Sequence, residues 1–115
     1  MAREYTGSAT YEVTAKLFER PCRVNERTID LAGEPTEIAD NNPRRLLLHI
    51  VNMGGYNVRV GFSRELLWYG STVLAANGGA MTLNVAEDGE LVGYATYALY
   101  PVGLGRIYVL EMIAQ

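Results

Sequence analysis

The run "LLLHIVNMGGYNVRVGF", residues 46–62, constrains the fold more than any other part of the chain. Its first half, within "RRLLLHIVN", is apolar on both faces, which predicts a central strand buried on each side. The Asn and Gly residues of "NMGGYN" tolerate positive φ and predict a turn. In the second half, Val58, Val60 and Phe62 alternate with polar or small residues, which predicts the antiparallel partner strand.

Strand patterns recur along the chain, separated by turn signals about every ten residues. The segment "TYEVTAKLF", residues 10–18, alternates apolar and polar residues with period two. The segments "STVLAA", "AMTLNVA", "LVGYATYALY" and "RIYVLEMIA" predict further strands, and "EDGE" a tight turn. We predict a loop or turn for "SRELLWYG", with one helical turn capped by Ser63 as the alternative.

These patterns predict an all-β fold, an antiparallel β-sandwich or jelly roll of about seven to eight strands with an extended N-terminal segment. We divide the single domain into residues 1–43, a charged N-terminal strand and extended arm, and residues 44–115, the sandwich core. Residues 22–42 contain Pro35 and no 3.6-residue period, and we expect a mostly irregular segment along the outside of the core. We expect residues 1–9 to pack against a neighbouring molecule.

The distribution of charge supports this division, because 15 of the 23 charged residues lie in the first 45 positions. The remaining 70 positions are sparsely charged for a globular domain. Two interpretations stay open. Either the surface is rich in Thr, Asn, Gly and Tyr, or part of it is covered by another copy, by the N-terminal segment or by a partner.

The sequence contains no recognisable constellation for catalysis. His49 lies in the middle of an apolar strand and is predicted to be structural. One His and the lone Cys22 do not form a metal site. Glu87, Asp88 and Glu90 belong to "EDGE" and are explained as a hairpin tip, and Glu111 is explained as one polar position of the last strand. We therefore predict a protein that is not an enzyme, with no catalytic residues, metal ligands or cofactor.

Composition also argues against several partners. The net charge of −3 disfavours nucleic acid. No apolar run approaches the roughly 18 residues that span a bilayer, and the N-terminus shows no apolar signal region, so we predict neither membrane association nor a secretory signal. The single cysteine excludes an internal disulfide.

Aromatic residues are the remaining candidates for a binding site. Trp68 and Tyr69 stand together beside a turn in "LLWYG". Three interpretations stay open: an anchor against the core, a subunit contact, or a platform for stacking a sugar. The residues predicted as possible interface or ligand contacts are Arg3, Tyr5, Tyr56, Trp68 and Tyr69.

Residues 44–115 resemble small β-sandwich virion proteins of tailed bacteriophages. The resemblance rests on "RRLLLHIVN", the following glycine-rich turn, "VRVGF", "GSTVLAANGG" and the closing strand "IYVLEM". It implies a non-enzymatic capsid decoration or cement protein that binds the outside of the head shell and stabilises it. It also implies that the protein is made in the cytoplasm of a bacterial host.

The resemblance implies the major capsid protein, further copies of the chain, or both as partners. A homo-oligomer is expected, with a trimer suggested by analogy. The alternatives are a neck or tail accessory protein and a jelly-roll carbohydrate-binding module that uses Trp68, Tyr69 and Tyr56.

A chelator tests the prediction that no metal supports the fold. Because a structural metal contributes folding free energy directly, its removal lowers the melting temperature. We expect excess EDTA to change the melting temperature by less than about 1 °C. A fall of several degrees that added zinc or calcium reverses would contradict the prediction.

Overall fold

In the computed structural model the described residues are 22–115, so the strand predicted at residues 10–18 and the contact predicted for residues 1–9 lie outside them. This part of the chain forms eight strands. They are β1 (Cys22–Leu31), β2 (Thr36–Ala39), β3 (Arg45–Asn52), β4 (Val58–Gly61), β5 (Thr72–Leu74), β6 (Ala80–Asn84), β7 (Thr96–Leu99) and β8 (Gly105–Ala114). The same residues contain one short α-helix, α1 (Val85–Asp88), and 3₁₀ segments at Leu66–Trp68 and Gly89–Gly93.

The strands form two four-stranded sheets, in the orders β1-β8-β3-β6 and β2-β7-β4-β5. All pairs are antiparallel. The chain passes repeatedly from one sheet to the other, and this strand order is that of a jelly roll. The predicted antiparallel β-sandwich or jelly roll is therefore confirmed.

The core lies between the sheets and follows the period-two pattern of the strands. Strand β3 is a central strand, as predicted, but its neighbours are β8 and β6. The predicted antiparallel pairing with residues 58–62 is wrong, because the turn after β3 carries the chain into the other sheet, where β4 pairs with β5 and β7. Strand β3 turns Leu48 and Ile50 into the core. Its opposite face, with His49 and Val51, is half-buried rather than fully buried. The other fully buried apolar side chains include Leu31, Val58, Val60, Ala98, Leu99, Ile107 and Val109.

The expectation of a mostly irregular segment over residues 22–42 is wrong. Strand β1 pairs with β8 along its whole length, from Cys22 opposite Ala114 to Leu31 opposite Gly105, and β2 joins the other sheet. Most side chains of β1 are exposed, so its sequence lacks the apolar alternation that marks a strand. Long-range pairing with β8 determines the conformation of β1.

Residues 84–93 also differ from the prediction of a tight turn and a long strand. The Asn84 side chain accepts a hydrogen bond from the Glu87 N–H at 2.9 Å, and the Asp88 carboxylate accepts one from the Asn84 N–H at 2.8 Å. These bonds cap the first turn of α1. The 3₁₀ segment follows, and β7 is therefore only four residues long.

A β-bulge at the start of β3 turns Arg45 into the protein interior. Arg45 pairs with Ile113 and Leu47 with Met112, so Leu46 is an extra residue. In a regular strand Arg45 would lie on the opposite face from Leu48, because side chains alternate between the faces and the two residues are three positions apart. With the bulge, Arg45 is fully buried.

All three nitrogens of the buried Arg45 guanidinium donate hydrogen bonds. Its Nε donates to the Glu111 carboxylate at 2.6 Å, and its terminal nitrogens donate to Asp40 and to the carbonyls of Val92 and Tyr94. Arg27 donates to the other oxygen of Glu111 and to the Ile38 carbonyl. This clamp joins β1, β3 and β8 of one sheet to β2 and the Gly89–Gly93 segment.

At the opposite end of β3, the buried polar residue Asn52 also forms hydrogen bonds that join neighbouring segments. It is fully buried, and its amide nitrogen donates to the carbonyls of Tyr56, Leu74 and Ala75, at 2.8 to 3.1 Å. Its side-chain oxygen accepts from the Gly54 N–H at 2.8 Å. Asn52 therefore fixes the loops β3–β4 and β5–β6 to each other.

Acid should weaken the Arg45–Glu111 clamp. Burial acts to raise the pKa of Glu111, but hydrogen bonds from Arg27 and Arg45 outweigh it and hold that pKa below its usual value. The clamp is therefore fully present above the unfolded-state pKa of about 4.3 and is lost as pH falls through the lower folded-state pKa.

We expect Glu111→Gln to lower the free energy of unfolding at neutral pH by about 3 kcal/mol, because breaking a buried pair leaves the arginines uncompensated. Urea unfolding at a series of pH values measures this. The loss relative to the wild type should shrink below about pH 4. A loss independent of pH would contradict the role of the ionised carboxylate.

Candidate interaction surfaces

His49, the single imidazole of the chain, lies in the middle of β3 and faces away from the core. Its Nδ1 is 2.7 Å from the Thr82 hydroxyl, across the β3–β6 pair. Both side chains lie on the partly exposed outer face of the sheet. The geometry gives His49 a cross-strand partner, which is the structural contact expected from its place in the strand.

The acidic candidates serve local structure. Glu111 belongs to the Arg45 clamp, and Glu87 and Asp88 cap α1. Glu90 accepts a hydrogen bond from the Tyr94 hydroxyl at 3.1 Å, and this bond raises the pKa of Tyr94. Within residues 22–115 no three His, Cys, Asp or Glu side chains lie close enough to hold a metal ion together.

No helix in the described part of the chain is long and apolar enough to cross a membrane.

Exposed apolar side chains form a first surface where the β3–β4 and β7–β8 loops meet. We call it the Met53 surface, and it comprises Met53, Tyr56, Val102 and Leu104, all largely exposed. The Met53 N–H donates to the Arg106 carbonyl at 3.0 Å. The rings of Tyr56 and Tyr100 pack edge-to-face, with 6.3 Å between the ring centroids. A cavity of about 560 Å³ opens beside it, lined by residues that include Asp30, Met53 and Leu104.

A second exposed apolar surface lies on the β4–β5 connection, at the other end of β4. We call it the Trp68 surface, and it comprises Phe62, Leu66, Trp68 and Tyr69. Leu67 points inward and is fully buried, which anchors the 3₁₀ turn and leaves its neighbours outside. Trp68 is 48% exposed and Tyr69 86% exposed, so neither is a core anchor.

The structure therefore separates the predicted contact residues. Arg3 and Tyr5 lie outside the described residues. Trp68 and Tyr69 are adjacent in the β4–β5 connection, whereas Tyr56 lies in the β3–β4 loop, at the opposite end of β4, where its ring contacts that of Tyr100. The cavity of about 560 Å³ and a second of about 210 Å³ beside Arg45 and Tyr94 are lined by none of these three aromatic residues.

Sequence reasoning did not find Met53, Val102 and Leu104. Each is an isolated apolar residue in a turn segment, and such residues are common on protein surfaces. Only the approach of the two loops in the fold brings them together with Tyr56. No signal in the local sequence marks that approach.

Comparison with known proteins supports the β-sandwich fold, which is shared by solved proteins of different kinds. No protein-family model matches the chain, and no curated protein matches it. Among solved structures, the chain is similar to a protein of the Bacillus endospore appendages, which form disulfide-linked pili. The identity is 14% and the TM-score 0.53, over 83% of this chain and 89% of that one.

The chain is also similar to a transcriptional regulator of the HTH_3 family from Vibrio cholerae, with 9% identity and a TM-score of 0.53. The match covers 97% of this chain but only 49% of the regulator. At these identities the likeness establishes the sandwich fold alone.

The difference in burial between Leu67 and Trp68 predicts that truncating Leu67 destabilises the fold far more than truncating Trp68. Leu67→Ala should lower the free energy of unfolding by about 3 kcal/mol, because it opens a cavity in the core. Trp68→Ala should cost less than about 1 kcal/mol, because its ring is half-exposed. Chemical denaturation of both variants measures this, and a larger loss for Trp68→Ala would show that the Trp68 ring anchors the core.

Proposed function

We propose that this protein is a non-enzymatic structural subunit of a tailed-phage particle, a decoration or cement protein on the outside of the head shell. The observation that carries the proposal is the exposure of large apolar side chains on the Met53 and Trp68 surfaces, at both ends of one rigid sandwich. Apolar groups gathered on a surface are typical of contacts with other proteins. A subunit with two such surfaces is suited to bridging neighbours.

The mechanism of such a protein is mechanical. A cement protein buries surface across the junctions between shell subunits, and each apolar side chain transferred from water adds roughly 1.5–3 kcal/mol of stabilisation. The sandwich contributes stiffness, because the Arg45 clamp joins elements of both sheets and the bonds of Asn52 fix the β3–β4 loop, which carries Met53 and Tyr56. The net charge of −3 favours the outer side of the shell over the side that faces DNA.

Two further observations support a structural role. The sequence of residues 44–115 resembles small virion proteins. The similar chain from Bacillus endospore appendages belongs to a pilus, which is also an assembly of repeated subunits. A neck or tail accessory protein belongs to the same class and would use the same surfaces.

The carbohydrate-binding alternative rests on Trp68 and Tyr69 alone. Tyr56 lies at the other end of β4, so the three aromatic side chains do not form one stacking platform. Trp68 and Tyr69 remain an exposed adjacent pair, and base or sugar rings stack on such pairs. The test below therefore includes an oligosaccharide arm.

Binding to head shells tests the proposal. Purified full-length protein is mixed with shells, prepared without it, of the tailed phage whose genome carries the gene. We expect saturable co-sedimentation at a fixed ratio to the capsid protein and a higher disruption temperature of the shell. Failure to bind shells, or binding to an oligosaccharide array that Trp68→Ala abolishes, would contradict the proposal.

Matched variants identify the surface used. Leu104→Ser and Tyr69→Ser each remove one exposed side chain from the Met53 and Trp68 surfaces, and at least one should weaken shell binding tenfold or more, about 1.4 kcal/mol. Val24→Ser is the control, because Val24 is 60% exposed on β1 and belongs to neither surface. Equal weakening by all three would argue against a defined docking surface.

A further inference from the structure

One side of the sandwich is built from a run that contains no charged residue. Residues 66–86 hold no Asp, Glu, Lys, Arg or His over 21 positions, and it is the longest such run in the chain. The run includes β5 and β6. We call the side of the sandwich that these two strands form the uncharged flank.

Both strands of the uncharged flank are edge strands within residues 22–115. Strand β6 ends the sheet β1-β8-β3-β6, and β5 ends the sheet β2-β7-β4-β5. A five-residue loop joins them, so the two edges lie on the same side of the sandwich. An edge strand offers unpaired N–H and C=O groups to another chain.

Lys, Pro and a bulge, three of the usual devices that block edge pairing, are missing here. Residues 66–86 contain no Lys and no Pro. Neither the β4–β5 pair nor the β3–β6 pair contains a bulge. Strands β5 and β6 are short, with three and five residues, and the Asp88 carboxylate occupies the Asn84 N–H, so pairing along β6 is open to residues 80–83.

The opposite side differs, because Arg106 and Asp30 form an ion pair at 2.8 Å and the Tyr108 hydroxyl donates to Glu26 across β1 and β8. That bond raises the pKa of Tyr108 to about 12. Strand β2 carries a bulge.

We propose that the uncharged flank binds a second copy of this chain about a twofold axis, with β6 antiparallel to β6 of the second copy. A partner with a charged surface would bury charges against a run that offers no counter-charge, which is costly. A second uncharged flank brings no charges that would have to be buried. A twofold axis places the same patch of both molecules in contact. This contact does not depend on the phage role and favours a dimer over the trimer suggested by analogy.

Exposed apolar side chains lie on and beside the uncharged flank: Val73 belongs to β5, and the Trp68 surface precedes β5 in the same uncharged run. Leu66, Trp68, Tyr69 and Val73 are between 48% and 86% exposed. Aromatic side chains are enriched among the residues that carry binding energy. A stable interface takes roughly 800 Å² from each partner, about an eighth of the 6541 Å² surface of the chain.

Hydrogen bonds hold the loop between β5 and β6 in one conformation, and a preorganised loop loses less entropy on binding. Asn52 binds the carbonyls of Leu74 and Ala75, and the Gly79 N–H donates to the Ala75 carbonyl at 3.1 Å. A Cβ at Gly79 would come within 2.4 Å of the Ala75 backbone, so this position requires glycine. The two edges are thus held in fixed relation before a partner binds.

Placing one charge on β6 tests the contact. Ala80 is exposed at the start of β6, and a twofold contact sets two glutamates of Ala80→Glu in one interface. Ala32→Glu is the matched control, because Ala32 is exposed in the β1–β2 loop on the other side of the sandwich. Sedimentation equilibrium of the full chain at micromolar concentration measures the mass.

We expect a wild-type dimer, a dissociation constant raised at least tenfold by Ala80→Glu, and no change with Ala32→Glu. Mixing Ala80→Glu with Ala80→Lys should restore the dimer, because the mixed interface is neutral. A monomeric wild type would overturn the proposal. So would an Ala80→Glu that lowers the melting temperature without changing the mass, since the flank would then be covered by its own chain.

Discussion

The carboxylate of Glu111 and the guanidinium of Arg45 meet inside the sandwich, and the relation between the two sheets depends on this contact. Taking both charges out of water is costly, so the pair is stable only because Arg27, Asp40 and the carbonyls of Val92 and Tyr94 satisfy the remaining hydrogen-bonding groups. These partners come from both sheets and from the segment before β7. The clamp therefore defines how the elements at this end of the sandwich meet, which apolar packing alone specifies less sharply.

Strand β3 carries a buried polar residue at each end, and this arrangement organises the surfaces. Arg45 begins the strand and Asn52 ends it, with Leu48 and Ile50 in the core between them. The amide of Asn52 holds the β3–β4 and β5–β6 loops. The exposed apolar side chains of the Met53 surface and the edges of the uncharged flank thus extend from a fixed frame.

The predictable part of the structure is the part in which local pattern and burial agree. Val58 and Val60 alternate as a half-buried strand requires, and the β-sandwich follows from such runs. The burial of Arg45 was not predictable, because a one-residue bulge at Leu46 reverses the face of the strand. Strand β1 depends on its partner β8, and α1 on capping by Asn84. For Trp68 and Tyr69 the sequence left a core anchor, a subunit contact and a sugar platform open, and the structure shows both side chains exposed. The Met53 surface exists only where two loops meet.

A protein that bridges neighbours needs a sandwich whose two layers do not slide, so the clamp connects the fold with the proposed function. A double-mutant cycle on Arg45→Met and Glu111→Leu, followed by urea unfolding at neutral pH, measures the clamp directly. The account predicts strong coupling: the double variant should lose at least ~1.5 kcal/mol less than the sum of the two single losses. Losses that add within about 0.5 kcal/mol would show that the two residues act independently and would contradict the account.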